Sequence, residues 1–480
     1  MPKHNEAVMP SLDVKEPLGI APGVLAKRDI VKTSTWCPNP KPDIEFDQWC
    51  DPLNPKTIIY KDVLKAASAI KEEYPYTPLV KSRYCKQFGL DLHYKFEIFH
   101  RTGSFNERGA LYSLMMLSDE QKKNGVITAS LGNWAMALAY QGYKLNIPIM
   151  VVLPVHTLLS TVEKCEDFGA TVVLNGVNLA ESKRHAFVMA EQNSRTYING
   201  YDHPHVIAAS GTIGLEILEQ LPQTDAILVP VGGGGLIAGI AAVVKHLNPQ
   251  ILIYGIEPDK CCSFFKAMEN EEPYQTAIGR SVAETLGVPT AGCNAFHTAK
   301  SLIDKMVLVD DDWIARAILH LVENEKMVAE GAGATSLSAL LAVPDVLPEL
   351  KGKSIVCVIT GGNIDQIILP RCLERAKAVE GRLIKLTVTL PADSMNLQLK
   401  VLSMIANVGC NVLWCDVEHA WLLENDFRTI YFNLIIETFS LEHSCTLKRV
   451  MERLFPNICD FLEEPFSPIP ICACFPKRFP

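Results

Sequence analysis

The stretch Ala226-Ile227-Leu228-Val229-Pro230-Val231-Gly232-Gly233-Gly234-Gly235-Leu236-Ile237-Ala238-Gly239 decides how the rest of the chain is read. It runs on without a charge to Val244, long enough to span a bilayer as one helix. Pro230 and four consecutive glycines argue against that, because each glycine costs roughly 1 kcal/mol against alanine in a helix interior. The pattern predicts a buried strand, a glycine turn and then a helix. In such a turn successive backbone N–H groups converge on one anion, and the helix N-terminus adds about half a positive charge. A phosphate held by Gly232, Gly233, Gly234 and Gly235 is the simplest reading, and a close-packed turn without a ligand is the plain structural one. A dinucleotide fingerprint is also satisfied: Gly233, Gly235 and Ala238 fit GxGxxA, and Glu257 ends the next apolar run. That reading makes the chain a dinucleotide-dependent oxidoreductase with Glu257 on the ribose.

Composition narrows the field. The chain has 480 residues, 48% hydrophobic and 21% charged, which excludes a disordered or collagen-like protein and predicts two or three domains. A net charge of -9 leaves no basic field for nucleic acid. Fifteen cysteines without a CxxC pair, and a start without the apolar run of a signal peptide, predict reduced thiols and a cytoplasmic protein with no membrane partner.

Residues 1–54 hold eight prolines and read as an extension. From 57 to 375, short apolar runs alternate with helix-length segments such as Thr212 to Leu221 and Trp313 to Lys326. The runs are Ile149–Leu153, Ala170–Leu174, Ala226–Val229, Ile251–Tyr254 and Ser354–Ile359. Buried strands separated by helices predict an α/β fold with a parallel sheet covered on both faces. Two more turns, Ser130-Leu131-Gly132-Asn133-Trp134 and Thr360-Gly361-Gly362-Asn363, follow strand-like runs, where open α/β sheets bind ligands. Beyond 382 the order is strand, helix, two strands and helix, a unit of the split βαβ kind. His203 and His205 have metal-like spacing without a third ligand and read as a solvated loop. Cys472 and Cys474 read as ordinary thiols, and Lys122-Lys123-Asn124 as a surface turn.

Taken in order, several segments resemble the fold-type II pyridoxal-phosphate enzymes, in particular the serine/threonine dehydratases (ammonia-lyases) and serine racemases. They are Thr77-Pro78-Leu79, Thr102-Gly103-Ser104-Phe105 with Arg108-Gly109-Ala110, Gly132-Asn133, Gly211-Thr212, the glycine loop, Glu257-Pro258, Val328 to Ala334, and Thr360 to Asp365. The resemblance implies two open parallel-sheet subdomains related to tryptophan synthase β, forming a dehydratase-like domain over 55–378. It implies pyridoxal 5′-phosphate as cofactor, its phosphate on Gly232, Gly233, Gly234 and Gly235. Asn133 would meet the ring hydroxyl, Phe105 a ring face and Thr360 the pyridine nitrogen. Backbone N–H groups of Ser130, Leu131, Gly132 and Trp134 would hold the carboxylate of a small amino acid or 2-oxo acid. The family reaction is deamination of L-threonine or L-serine to a 2-oxo acid and ammonia, and the Val328 to Ala334 segment resembles the dehydratase branch more than the racemases.

The same resemblance exposes a departure. Where the family has the lysine that carries the cofactor and moves the Cα proton, this chain has Asn106, whose amide can neither form a Schiff base nor act as a base. Lys95, eleven positions upstream, is not expected to substitute. Ser263 stands where some relatives carry a metal-binding carboxylate, so no metal is expected. The expectation is therefore a lyase-like protein whose reaction is lost or much weakened, or a pseudoenzyme acting as a regulatory partner. Residues 382–480 resemble an ACT-type regulatory domain, which implies a homo-oligomer or a hetero-oligomer with an active relative.

Overall fold

The computed structural model describes residue 47 and residues 49–84, 89–342, 347–421 and 427–462. Most of the expected extension, with Cys472 and Cys474, lies outside the described residues.

Ten strands among the described residues build two sheets before residue 360. They are β1 (Leu79–Lys81), β2 (Asp91–Phe96), β3 (Val126–Ala129), β4 (Ile149–Leu153), β5 (Thr171–Leu174), β6 (Thr196–Tyr197), β7 (Ala226–Pro230), β8 (Leu252–Pro258), β9 (Lys305–Val309) and β10 (Ser354–Ile359). The larger sheet has the order β1-β2-β10-β7-β8-β9, the smaller β5-β4-β3-β6. Every pairing is parallel except β1 with β2.

The apolar runs of the central strands follow from burial on both faces, since successive side chains point to opposite sides of a sheet. Ile227 and Val229 of β7 join one core cluster with Val356 and Val358 of β10. Ala226 and Leu228 join another with Ile355, Cys357 and Ile359. β5 departs from the expectation of a buried strand: it pairs only with β4, ends the smaller sheet and leaves Leu174 44% exposed. The stretch read as one helix from Trp313 to Lys326 is an α-helix over Asp311–His320 continued by a π-helical turn, Leu321–Glu325.

The C-terminal unit contains β11 (Leu383–Pro391), helix Met395–Asn407, β12 (Asn411–Glu418), β13 (Thr429–Glu437), helix Leu441–Leu454 and β14 (Cys459–Phe461). Its sheet, β12-β13-β11-β14, is antiparallel throughout and has its own core around Leu386, Val388, Phe432 and Leu447. The antiparallel sheet with two helices is compatible with an ACT-like domain. β14 adds a sixth element to the five legible in the sequence. Arg382 joins this unit to the body, its guanidinium donating to Glu323 at 2.8 and 2.9 Å.

Candidate functional site

Three chain turns, all just past the carboxyl ends of strands, close on one cleft. After β7, the helix Gly235–Leu247 starts at Gly234, which is left-handed (φ +94°) and carries no capping side chain. Its first N–H groups are therefore open to a ligand. The glycines also answer to packing: an added Cβ would stand 2.2 Å from the Tyr201 ring at Gly233 and 2.1 Å from the Tyr201 carbonyl oxygen at Gly235. The plain structural reading thus accounts for these two glycines. What adds a ligand to it is the cleft in front of them.

After β3, Gly132 leads into helix Asn133–Leu145. Ser130 Oγ accepts from the N–H groups of Gly132 (3.0 Å) and Ala135 (3.2 Å). The expectation that the whole Ser130–Trp134 turn offers its N–H groups to a carboxylate is corrected accordingly. The Gly132 N–H is taken by Ser130 Oγ, the Ser130 N–H donates to the Val152 carbonyl, and those of Leu131, Asn133 and Trp134 have no acceptor among the described residues. The Trp134 indole faces the core, donating to Thr128 Oγ1 at 2.9 Å and pressing against Gly200.

After β10, Thr360 is buried, and its carbonyl accepts the Phe105 N–H at 3.0 Å. Gly361 bridges Ser104, and its carbonyl accepts the Glu330 N–H at 3.0 Å. Asn363 donates to Thr102 O (2.7 Å) and to Asn133 Oδ1 (2.9 Å), while Asn133 Nδ2 donates to Glu330 Oε1 at 2.5 Å. These bonds stitch the turns into one wall. Burial pushes the Glu330 carboxyl up to about 7, against the opposing hydrogen bonds from Asn133 and Thr285.

The cleft has about 800 Å³ of empty space counted out to its open mouth. Phe105, Asn106, Ser130, Leu131, Gly132, Asn133, Trp134, Gly232, Gly233, Gly234, Gly235 and Thr360 all line it, so the sequence-selected residues come together. Sequence reading missed Tyr201, Thr285 and Glu330, which also line it. Glu330 lies within the Val328 to Ala334 segment and Tyr201 two positions before His203, and no local pattern marks either. Among the described residues that line the cleft there is no lysine, arginine or histidine. Asn106 opens helix Asn106–Met115 and donates from Nδ2 to Ser104 Oγ at 3.3 Å.

Residues 70–361 match the family described as "Pyridoxal-phosphate dependent enzyme". The chain belongs to this family. It is 34% identical to an L-threonine ammonia-lyase of Thermotoga maritima over 357 residues, covering 74% of this chain and 88% of the relative. An L-threonine ammonia-lyase of Geobacter sulfurreducens is 36% identical over 354 residues, 73% and 87% of the two chains. Among solved structures, the processed form of threonine deaminase isoform 2 from Solanum lycopersicum superposes with a TM-score of 0.62 at 31% identity, covering 67% of this chain and 96% of that one. Maize serine racemase gives 0.63 at 28%, covering 66% and 97%. The pyridoxal-phosphate family accounts for the α/β body as a fold-type II enzyme fold, and pyridoxal phosphate is its cofactor.

The remaining candidates lie away from the cleft. Lys95 is fully buried on β2, its ammonium donating to Glu216 (2.6 Å), Thr77 O (2.8 Å) and Gln220 (2.8 Å). Glu257 accepts the Phe264 and Phe265 N–H groups at 3.0 and 2.7 Å, capping helix Ser263–Asn270, so it is spent inside the fold rather than turned to a ribose. His203 and His205 correct the solvated-loop expectation: His203 is buried, caps helix Pro204–Ser210, and both rings pack near Trp49. Lys122-Lys123-Asn124 ends helix Asp119–Asn124 rather than forming a turn. Among the described residues no group of three or more His, Cys, Asp or Glu could hold a metal ion, and no helix is long and apolar enough to cross a membrane.

Proposed function

We propose that this chain is a threonine/serine ammonia-lyase-like protein that holds pyridoxal phosphate without a covalent bond and has lost, or nearly lost, the deamination of L-threonine or L-serine. The observation that carries this reading is the absence of any amine among the described residues lining the cleft, where Asn106 stands in place of the family's lysine. The residues fit the cofactor's non-covalent contacts and not its attachment. Gly232 to Gly235 and the helix N-terminus would take the phosphate, Asn133 the ring hydroxyl, Thr360 the pyridine nitrogen, and Phe105 a ring face. When bound, pyridoxal phosphate supplies an electron-accepting ring. The chain's own contribution would be to bind, orient and shield. The N–H groups of Leu131, Asn133 and Trp134 would anchor a substrate carboxylate. No side chain described in the cleft can take a proton from Cα as an amine would, because Asn106 is neutral at every accessible pH and Lys95 is sealed behind Glu216.

The reading extends to the rest of the molecule. Residues 55–378 are the dehydratase-like domain and 382–480 an ACT-like domain, which fits pairing with a second copy or with an active relative that it regulates. The eleven described cysteines are all free thiols, which supports a reducing, cytoplasmic setting.

Purified protein incubated with pyridoxal phosphate and borohydride tests the proposal. Peptide mass spectrometry should find no pyridoxylated lysine, and 2-oxo acid should form from threonine or serine only at background. Asn106→Lys should yield a pyridoxyl group at position 106 and raise the rate by roughly 10²–10⁴-fold, the usual worth of a general base. Brisk turnover by the unaltered chain would overturn the reading.

A further inference from the structure

We propose that the cleft selects the amine form of its cofactor, pyridoxamine 5′-phosphate, over the aldehyde form. The inference rests on the reading of the cleft as a pyridoxal-phosphate-type site and goes on to name its preferred occupant. One end of the cleft is built for an anion, with the glycine loop presenting uncapped N–H groups at the start of helix Gly235–Leu247. The rest of the lining carries no cationic side chain among the described residues. Asn106 spends its Nδ2 on Ser104 Oγ, which leaves Oδ1, an acceptor, without a hydrogen bond among the described residues. Glu330 Oε1 takes donors from Asn133 and Thr285, and its Oε2 likewise accepts none among the described residues.

An aldehyde oxygen can only accept hydrogen bonds, and its usual gain in this fold is condensation with a lysine, expelling water. No amine is described along this cleft, so the condensation is closed to it and what is left is neutral hydrogen bonding, for instance to the N–H groups of Leu131 and Asn133. An ammonium brings three donors and a positive charge to the open Asn106 Oδ1 and to a lining without a competing cation among the described residues, and charge-assisted hydrogen bonds are about twice as strong as neutral ones. The ligand class that matches both ends is a phosphate monoester bearing an amine.

Titration of the full chain with pyridoxamine 5′-phosphate, pyridoxal 5′-phosphate and inorganic phosphate, followed by calorimetry and by pyridoxamine fluorescence, tests this. The amine form should bind at least tenfold more tightly than the aldehyde. Asn106→Leu should bring the two forms within about threefold, and Asn106→Lys should invert the order. An aldehyde form that binds the unaltered chain as tightly as the amine would overturn the inference and leave the cofactor-site reading intact. If neither vitamer binds more tightly than inorganic phosphate, that reading falls as well. An amine preference that survives Asn106→Leu would overturn the part given to Asn106.

Discussion

Asn106 and Arg108 stand two positions apart at the start of one helix, yet they answer to opposite surroundings. Asn106 is half-buried beside the cleft, whereas Arg108 is sealed in the interior, bonded to Glu97, Glu216, Thr77 and Thr212. Removing that guanidinium would take from two buried carboxylates the cation they share, leaving Glu216 to Lys95 and Glu97 to His100 and Thr77. We expect Arg108→Met to cost about 3–5 kcal/mol, read as a fall in urea midpoint, while Asn106→Lys changes stability far less. At Gly233 a methyl group has no room beside Tyr201, so Gly233→Ala should destabilise the fold by roughly 1–3 kcal/mol and abolish phosphate-ester binding by calorimetry. Legibility at this scale followed adjacency. Asn133 and Thr360 sit next to glycines, Phe105 and Asn106 close behind Gly103, and all four could be picked from short motifs in the sequence. Tyr201 matters because its ring and carbonyl fill the space that Gly233 and Gly235 leave, a relation between distant positions that no local pattern marks.

Among the elements, strands buried on both faces were the most readable, because a short uninterrupted apolar run such as Ile149–Leu153 or Ser354–Ile359 is what a strand covered on both sides requires. β13 was equally plain from strict alternation in burial. β14 was missed: three half-exposed or exposed residues carry no period, and pairing with Leu386, Thr387 and Val388 makes them a strand. That pairing has a testable weight. Ending the chain after Asn457 would strip β11 of one neighbour and open the core near Phe461. Hydrogen exchange should speed up along Leu383–Pro391 while β10, in the body, keeps its protection.

For the whole molecule, three buried carboxyls carry a shared pH dependence. Burial raises Asp202 to about 7, Glu257 to about 8 and Glu330 to about 7, in each case against opposing hydrogen bonds. The folded chain therefore keeps protons that the unfolded chain releases. Their contribution to stability is complete below about pH 4 and is lost as pH rises through 7–8. Above pH 6.5, where the buried neutral His203 no longer counters them, the urea midpoint should fall toward pH 8, and Glu330→Gln should lessen that slope. None of this was legible beforehand, since a carboxyl's burial is a property of the assembled layers. The seat of Trp134 has an optical consequence. Of the six tryptophans in the sequence, it alone among the described residues borders the cleft, so emission from this indole should dim when a light-absorbing pyridine ring settles there. The protein thus carries its own gauge of occupancy, readable without any attached dye.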